Sequence, residues 1–246
     1  MAPEKEVFLS YPGTNGGCWT FLFHCAKLYK TAERIEDMRE YKAIIYDIDG
    51  TLLNTVVQNM YPLIQIIKEE LGEEWTFEQV VPFTAQPGRK TLADLGIRDI
   101  DTVYARWVRY VNSYGIVATP FDGIPQMLKA VQERGLKQGI VSAKCRKQYG
   151  IDMVPYGFDK LMEAAVLFED TDKHKPDPEP LFICLDNLGV DAKDALYMGD
   201  ARNDMIAAQA AGMDFAYASW GSYFPMDRTE PTYYLDHPMD LMKFLK

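Results

Sequence analysis

The sequence predicts an α/β fold with a doubly wound, mostly parallel sheet and a small all-helical domain inserted after the first strand. Two patterns carry this prediction. From residue 124 onward, short apolar runs alternate with helical stretches, which is the pattern of a parallel sheet with right-handed crossovers. Between residues 54 and 119, helical patterns follow one another without a convincing strand. We therefore expect an α/β core of residues 41–53 and 120–246 and a helical cap domain of residues 54–119.

The first predicted strand is an apolar run, residues 44–46, that stops at Asp47 and Asp49. Side chains alternate faces along a strand, so the two acids can share one side of the strand tip. Gly50 then lets the chain turn sharply. Two carboxylates this close repel each other, and a divalent cation is the usual remedy. The long apolar run makes a solvated surface turn the weaker interpretation.

Predicted helices fill the cap, and helices and strands alternate in the core. Asn54 or Thr55 can cap the first helix, which runs to about Leu71 and ends at Gly72. Further cap helices are predicted at residues 76–80, 90–95 and 100–114. In the core, predicted strands at residues 137–142, 164–168, 195–199 and 215–218 alternate with helices at residues 124–134, 146–153, 178–188 and 203–211.

Polar residues stand where three of the predicted strands end. These tips are Asp47, Ser142 and Asp200, and Lys175 lies on a loop stiffened by two prolines. Ligands of open parallel sheets bind outside the carboxyl ends of the strands. The sequence therefore predicts the functional site at this edge of the sheet.

The second acidic motif is Asp200 followed by Asp204 at the start of a helix. For Asp204, a favourable charge in the first helical turn is an equally good interpretation. Asp47, Asp49 and Asp200 together offer hard oxygen ligands on neighbouring strand tips. Such a set suits octahedral Mg²⁺ completed by water.

Ser142 and Lys175 each have two interpretations. The Ser142 hydroxyl and the amides that follow can donate hydrogen bonds to an oxyanion, although a lone serine can equally well cap the next helix. A lone lysine is usually a solvated surface charge. Between two acidic strand tips, however, Lys175 can neutralise carboxylates and phosphate alike.

In order and rough spacing, these residues match the four motifs of the haloacid dehalogenase superfamily, which the chain resembles over about residues 41–246. The motifs are Asp47-Ile48-Asp49-Gly50-Thr51, then Ser142, then Lys175-Pro176, then Gly199-Asp200 with Asp204. The sequences around Ser142, Lys175 and Asp200 most resemble the phosphoglycolate phosphatase-like branch. The predicted helical insert matches the cap of that branch.

The resemblance implies a Mg²⁺-dependent phosphatase that hydrolyses a small phosphate monoester through an aspartyl-phosphate. Asp47 is the implied nucleophile, and Asp49 is the general acid and base. The implied catalytic residues are Asp47, Asp49, Ser142 and Lys175. The implied phosphate-binding residues are Gly50, Thr51, Ser142, Ala143 and Lys175. The implied metal ligands are Asp47, Asp49 through its backbone carbonyl, Asp200 and, in support, Asp204.

Within the cap, Arg89 is the candidate substrate contact. It follows Pro87-Gly88, where related caps place such a residue, and Gln86 is a weaker candidate. A phosphonate hydrolase would need a cap lysine that forms an imine. Lys68 and Lys90 are the available lysines, and neither is convincing.

Four other functions stay open at this stage. By the same resemblance, the chain can be a phosphomutase of the β-phosphoglucomutase type, which shares cap and motifs. It can also be a pyrophosphatase or a nucleotidase of the same superfamily. A catalytically silent binding protein is the remaining class, and the presence of every motif residue argues against it.

Composition limits the classes of partner that the protein is expected to bind. A net charge of −10 over 246 residues argues against general binding to nucleic acid or anionic membranes. Cys18, His24 and Cys25 make a poor zinc motif because a fourth ligand is missing. Residues 1–40 are expected to be an extension, with the functional domain starting near Met38. We expect a cytoplasmic monomer or weak homodimer that acts on a small phosphorylated metabolite.

Overall fold

A parallel sheet occupies the centre of the computed structural model, which describes residues 39–246. Within these residues the sheet has six strands, and all five neighbouring pairs run parallel. A separate two-stranded antiparallel ribbon joins β2 and β3. The strands are β1 (Ala43–Tyr46), β2 (Leu53–Asn54), β3 (Thr119–Pro120), β4 (Lys137–Val141), β5 (Ala164–Val166), β6 (Ala195–Gly199), β7 (Asp214–Ala218) and β8 (Tyr233–Leu235).

The strand order is β5-β4-β1-β6-β7-β8, so β1 lies between β4 and β6. In register, Tyr46 pairs with Ile140 on one side and with Met198 on the other. The carboxyl ends of these three strands therefore meet at one edge. The chain order also reverses at β1, which is where ligands of open parallel sheets bind.

Helices cover both faces of the sheet. The core helices are α5 (Ile124–Glu133), α6 (Arg146–Asp152), α7 (Glu179–Leu188) and α8 (Arg202–Ala211). Ile44 and Tyr46 pack with residues of α5 on one face, whereas Ile45 packs with residues of α7 and α8 on the other. This alternation follows from the period of two along a strand. The expected doubly wound α/β fold is confirmed.

The chain between β2 and β3 is helical. Its helices are α1 (Val56–Leu71), α2 (Phe77–Val80), α3 (Gly88–Asp94) and α4 (Ile100–Ser113). They bury a hydrophobic cluster of their own, which includes Leu63, Leu92 and Trp107. We call residues 56–113 the helical layer. Because residues 40–246 form one compact unit, the division into core and cap domains stays a prediction.

Some local features differ from the prediction. The edge strand β8 has no predicted counterpart, and the ribbon adds short strands at both borders of the cap. Phe168 lies in a 3-10 turn and not in a strand, because the Asp170 carboxylate accepts a hydrogen bond from the amide of Leu167 and closes the turn. Thr55 precedes α1 at the predicted N-cap, but its hydroxyl makes no capping hydrogen bond.

Two predictions fall wholly or largely outside the described residues, namely the extension of residues 1–40 and the weak motif of Cys18, His24 and Cys25. In the part of the chain that is described, no helix has the length and apolar character that crossing a membrane requires.

Candidate active site

A cavity of about 200 Å³ lies between the carboxyl ends of the strands and the helical layer. Asp47 follows β1, Ser142 follows β4 and Asp200 follows β6, and all three line the cavity. Lys175 reaches the same space from the loop before α7. The predicted strand-tip residues therefore come together at one site.

Asp47, Asp200 and Asp204 form an acidic cluster. Each offers a carboxylate oxygen, and these three atoms lie within 4.8 Å of one another. Asp47 and Asp204 are buried. The first turn of α8 holds Asp204 in place, since a carboxylate oxygen accepts a hydrogen bond from the amide of Ala201 at 3.0 Å. Asp204 is thus both a first-turn charge and a member of the site.

The Lys175 ammonium lies inside this cluster. Its Nζ donates to Asp47 Oδ1 at 2.9 Å and to Asp204 Oδ1 at 2.7 Å. It also donates to the hydroxyl of Tyr197 at 2.8 Å. Burial opposes the ammonium charge, but Asp204 and Asp47 raise the pKa of Lys175 well above its usual value. No sequence pattern predicted a role for Tyr197, because a tyrosine within an apolar strand is typical of a core residue.

The acidic cluster carries more negative charge than Lys175 can balance. Burial raises the pKa of Asp47 to about 6, and Lys175 opposes that rise. Burial, then the charges of Asp204 and Asp47, raises the pKa of Asp200 well above its usual value. Oxygen donors with excess negative charge are the set that a hard divalent cation prefers. The residues present therefore fit a hard divalent cation.

The turn after β1 is packed too tightly for side chains at two positions. Gly50 has a φ of +81°, and a Cβ there would lie 2.3 Å from Asp200 Oδ2. A Cβ on Gly221 would lie 1.6 Å from the carbonyl oxygen of Gly50. The Trp220 indole donates to the Thr51 carbonyl at 2.9 Å. The segment around Trp220 thus holds the turn against Asp200.

Thr51 is buried, and its hydroxyl donates to Asp200 Oδ1 at 3.1 Å. Among the described residues that line the cavity, Thr51 is absent and Ala143 is present. This geometry favours a role for Thr51 in orienting Asp200. Its predicted contact with phosphate stays a prediction.

Ser142 is buried at the cavity wall. Its hydroxyl oxygen accepts a hydrogen bond from the amide of Lys144 at 3.3 Å. The helix α6 starts only after Cys145, which occupies the N-cap. Ser142 is therefore not a helix cap, and the hydroxyl stays next to the cavity.

Lys144 is a site residue that the sequence reasoning missed. Its Nζ lies 3.1 Å from Asp49 Oδ1 and 2.6 Å from Asp152 Oδ2.

Gln148 donates to the other oxygen of Asp152 at 2.9 Å. The Asn112 amide of the helical layer donates to Gln148 Oε1 at 3.0 Å. A polar chain thus links the helical layer to Asp49. Only the position of Lys144, two residues after Ser142, could have suggested this role.

Asp49 faces a different environment from Asp47. Its carboxylate interacts with Lys144 and does not belong to the acidic cluster. Asp47 and Asp49 both line the cavity. The predicted metal contact through the Asp49 carbonyl stays a prediction.

The basic residues proposed for the cap point elsewhere. The Arg89 guanidinium pairs with Asp101 and lies 4.8 Å from the ring centre of Tyr104. Arg89 is not among the described residues that line the cavity, whereas Gln86 is. The predicted contact between Arg89 and the substrate stays a prediction. The lysines proposed for imine formation are also engaged, Lys68 with Glu74 and Lys90 with Asp94.

Together, the parallel sheet, the acidic cluster at its switch point and the buried lysine place a candidate active site on a Rossmann-like core. The sequence profile of the haloacid dehalogenase-like hydrolases matches residues 44–218. The chain belongs to that family, as its motifs indicated.

Individual relatives share about a quarter of their residues with this chain. The N-acetylmuramic acid 6-phosphate phosphatase of Pseudomonas aeruginosa is 27% identical, covering 83% of this chain and 94% of that protein. The pyrophosphatase PpaX of Bacillus velezensis is 26% identical, covering 81% and 94%. A crystal structure from Lactobacillus plantarum, provisionally named a phosphoglycolate phosphatase, has a TM-score of 0.78 and 27% identity, covering 84% and 100%. The predicted branch of the superfamily is confirmed.

Proposed function

We propose that this protein is a divalent-metal-dependent phosphatase that hydrolyses small phosphate monoesters through an aspartyl-phosphate on Asp47, with Mg²⁺ as the metal. One observation carries the proposal. The Asp47 carboxylate lies at the cavity wall, beside a buried ammonium and two further carboxylates. Phosphoryl transfer needs a positioned nucleophile and fixed positive charge around the phosphoryl oxygens.

In the first half-reaction, a carboxylate oxygen of Asp47 attacks the phosphorus. The bond from phosphorus to the leaving oxygen breaks as Asp49 gives that oxygen a proton. In the second half-reaction, water attacks the phosphorus of the aspartyl-phosphate while Asp49 takes the proton. The bond between phosphorus and Asp47 then breaks, and phosphate leaves.

The remaining residues stabilise and orient. Lys175 and Ser142 face the cavity beside Asp47 and stabilise charge on the phosphoryl oxygens. Lys144 holds Asp49 away from the acidic cluster. A hard divalent cation held by Asp47, Asp200 and Asp204 would supply the positive charge that lets one anion attack another.

The test is phosphate release from a panel of small phosphate esters, with Mg²⁺ or with a chelator. We expect metal-dependent release by the wild type and a loss of at least about 10³-fold in Asp47→Asn. Asp49→Asn should be nearly as damaging. Asp186→Asn is the matched control, because Asp186 is exposed on α7. Undiminished release by Asp47→Asn would contradict the mechanism.

The phosphomutase alternative shares the first half-reaction. It predicts that the phosphoenzyme transfers its phosphoryl group to a sugar phosphate faster than to water. Single-turnover experiments with the isolated phosphoenzyme separate the two functions. A silent binding protein would give no turnover over the whole panel.

A further inference from the structure

The helical layer presents an apolar wall to the cavity. Three aromatic side chains of this wall are Phe83, Tyr104 and Trp107, and Met60, Val108 and Val111 add aliphatic surface. Tyr104 and Trp107 meet edge to face, with their ring centres 6.3 Å apart. A Cβ on Gly88 would lie 2.8 Å from the Tyr104 ring, so this glycine lets the ring pack closely.

The polar groups of this wall are uncharged. Besides the Tyr104 hydroxyl and the Trp107 indole nitrogen, they belong to Asn59, Thr84 and Gln86. The structure describes every basic residue of the helical layer, and none of them lines the cavity. Besides Arg89, Arg106 is also engaged outside the cavity, where it pairs with Glu69 and Glu70.

The basic groups on the core side of the cavity are already engaged. Among the described lining residues, the groups that can carry positive charge are Lys144, Lys175 and His174. Both lysines bind carboxylates, as described above. The His174 ring stacks on Phe168, with ring centres 4.4 Å apart. A second anionic group on a substrate would therefore face an apolar wall. Each ammonium among the described lining residues already has a carboxylate partner.

Burying an anion without a partner is costly, and acids nearby increase the cost. Apolar groups gain by contact with the same wall. On the basis of the proposed function, we infer that the preferred substrates are phosphate monoesters whose leaving alcohol is uncharged and carries an apolar or aromatic face. Phosphoglycolate and pyrophosphate, each with a second anionic group, fit this wall poorly.

The first test compares two substrates of nearly equal size, 2-hydroxyethyl phosphate and phosphoglycolate, which differ by a hydroxymethyl group against a carboxylate. We expect kcat/KM with saturating Mg²⁺ to be roughly tenfold or more higher for the neutral ester.

A second pair, benzyl phosphate and ethyl phosphate, tests the aromatic wall. We expect benzyl phosphate to be favoured by roughly tenfold or more.

A variant of the wall tests the charge argument directly. Val108→Lys places an ammonium at the cavity, and we expect it to shift the ratio of kcat/KM roughly tenfold towards phosphoglycolate. Val117→Lys is the matched control, because Val117 is 70% exposed and does not line the cavity. The control should leave the ratio unchanged.

The outcomes separate this inference from the proposed function. Hydrolysis that depends on Asp47 but favours phosphoglycolate or pyrophosphate over the neutral esters would overturn the inference alone. No hydrolysis of any ester by the folded protein with Mg²⁺ would overturn both. An equal shift in Val108→Lys and Val117→Lys would overturn the charge argument on which the inference rests.

Discussion

Lys144 lies between two carboxylates, Asp49 at the cavity and Asp152 on α6. Its side chain is 5% exposed. Burial opposes its charge, but Asp49 and Asp152 overcome that effect and keep its pKa above the usual lysine value. An ion pair this deeply buried contributes little net stability over an apolar pair, but removing one partner is costly.

Lys144→Met should therefore destabilise the protein, because it leaves the Asp152 carboxylate buried and without its ammonium partner. We expect the free energy of unfolding to fall by about 3–5 kcal/mol, measured by urea denaturation. Lys129→Met is the control, since Lys129 is an exposed surface residue paired with Glu133. The control should change stability by less than about 1 kcal/mol. Equal losses in the two variants would contradict a special role for Lys144.

Thr51→Val keeps the shape of Thr51 and removes the hydroxyl that donates to Asp200. Partners that orient a metal ligand affect metal affinity, so we expect the Mg²⁺ concentration for half-maximal activity to rise about 10–100-fold. Thr51→Ser keeps the hydroxyl and should stay close to the wild type. Calorimetric titration of Mg²⁺ into each variant checks the result without catalysis. An unchanged affinity in Thr51→Val would show that the hydroxyl does not orient Asp200 for the metal.

At the scale of elements, the helical layer depends on its own hydrophobic cluster. Leu63 of α1 is buried in this cluster. Leu63→Ala should cost about 2–5 kcal/mol in the free energy of unfolding, through lost burial and the cavity left behind. Gln65→Ala changes an exposed position of the same helix and is the control.

Hydrogen exchange can show where the loss in Leu63→Ala falls. If residues 54–119 form a separate domain, amides of residues 56–113 should exchange faster in this variant, while those of β1 and β6 keep their protection. Equal loss of protection in the sheet and in the helical layer would count against a separate cap domain.

The elements that could be predicted from sequence are those with strong local patterns. The strands β1, β4 and β6 are apolar runs ending at polar residues, and α1 ends at Gly72 in a left-handed conformation. The edge strand β8 has three residues and no such pattern. It is defined by its pairing with β7, which lies on the far side of a loop, and local periodicity carries no information about that pairing.

The site residues divide in the same way, into those that a local pattern predicts and those that depend on distant contacts. Asp47, Ser142, Lys175 and Asp200 could be predicted because each stands at a strand end or on a stiffened loop. The partnership of Lys144 with Asp152 could not, because it depends on the tertiary packing that brings the Asp152 carboxylate to 2.6 Å from the Lys144 ammonium. The outward pairing of Arg89 with Asp101 likewise follows from the packing of α3 against α4.

At the scale of the whole molecule, buried groups that must stay uncharged make stability depend on pH. Burial on α7 raises the pKa of the Cys184 thiol from 9.0 to about 12. Above pH 9 the unfolded chain releases this proton while the folded chain keeps it, so the free energy of unfolding falls as pH rises towards 12. Burial also raises the pKa of Tyr46, which acts in the same direction.

Cys184→Ala isolates the contribution of the thiol. Near neutral pH the variant should be less stable than the wild type by about 1 kcal/mol, because it leaves a small cavity. As pH rises above 9, the wild type should lose up to about 1.4 kcal/mol per pH unit relative to the variant, so the difference shrinks and then reverses. Urea denaturation at a series of alkaline pH values measures it. A constant difference would contradict the raised pKa of Cys184.

The contact between Gly50 and Gly221 limits how this sequence can change. A side chain at position 221 would overlap the Gly50 carbonyl, and a side chain at position 50 would overlap Asp200. Neither overlap can be relieved by choosing a smaller residue, because a single Cβ already causes it. A fully randomised library at position 221, selected for activity, should return glycine alone. No single substitution at position 221 is therefore tolerated. Any other residue there first requires the backbone around Gly50 to shift.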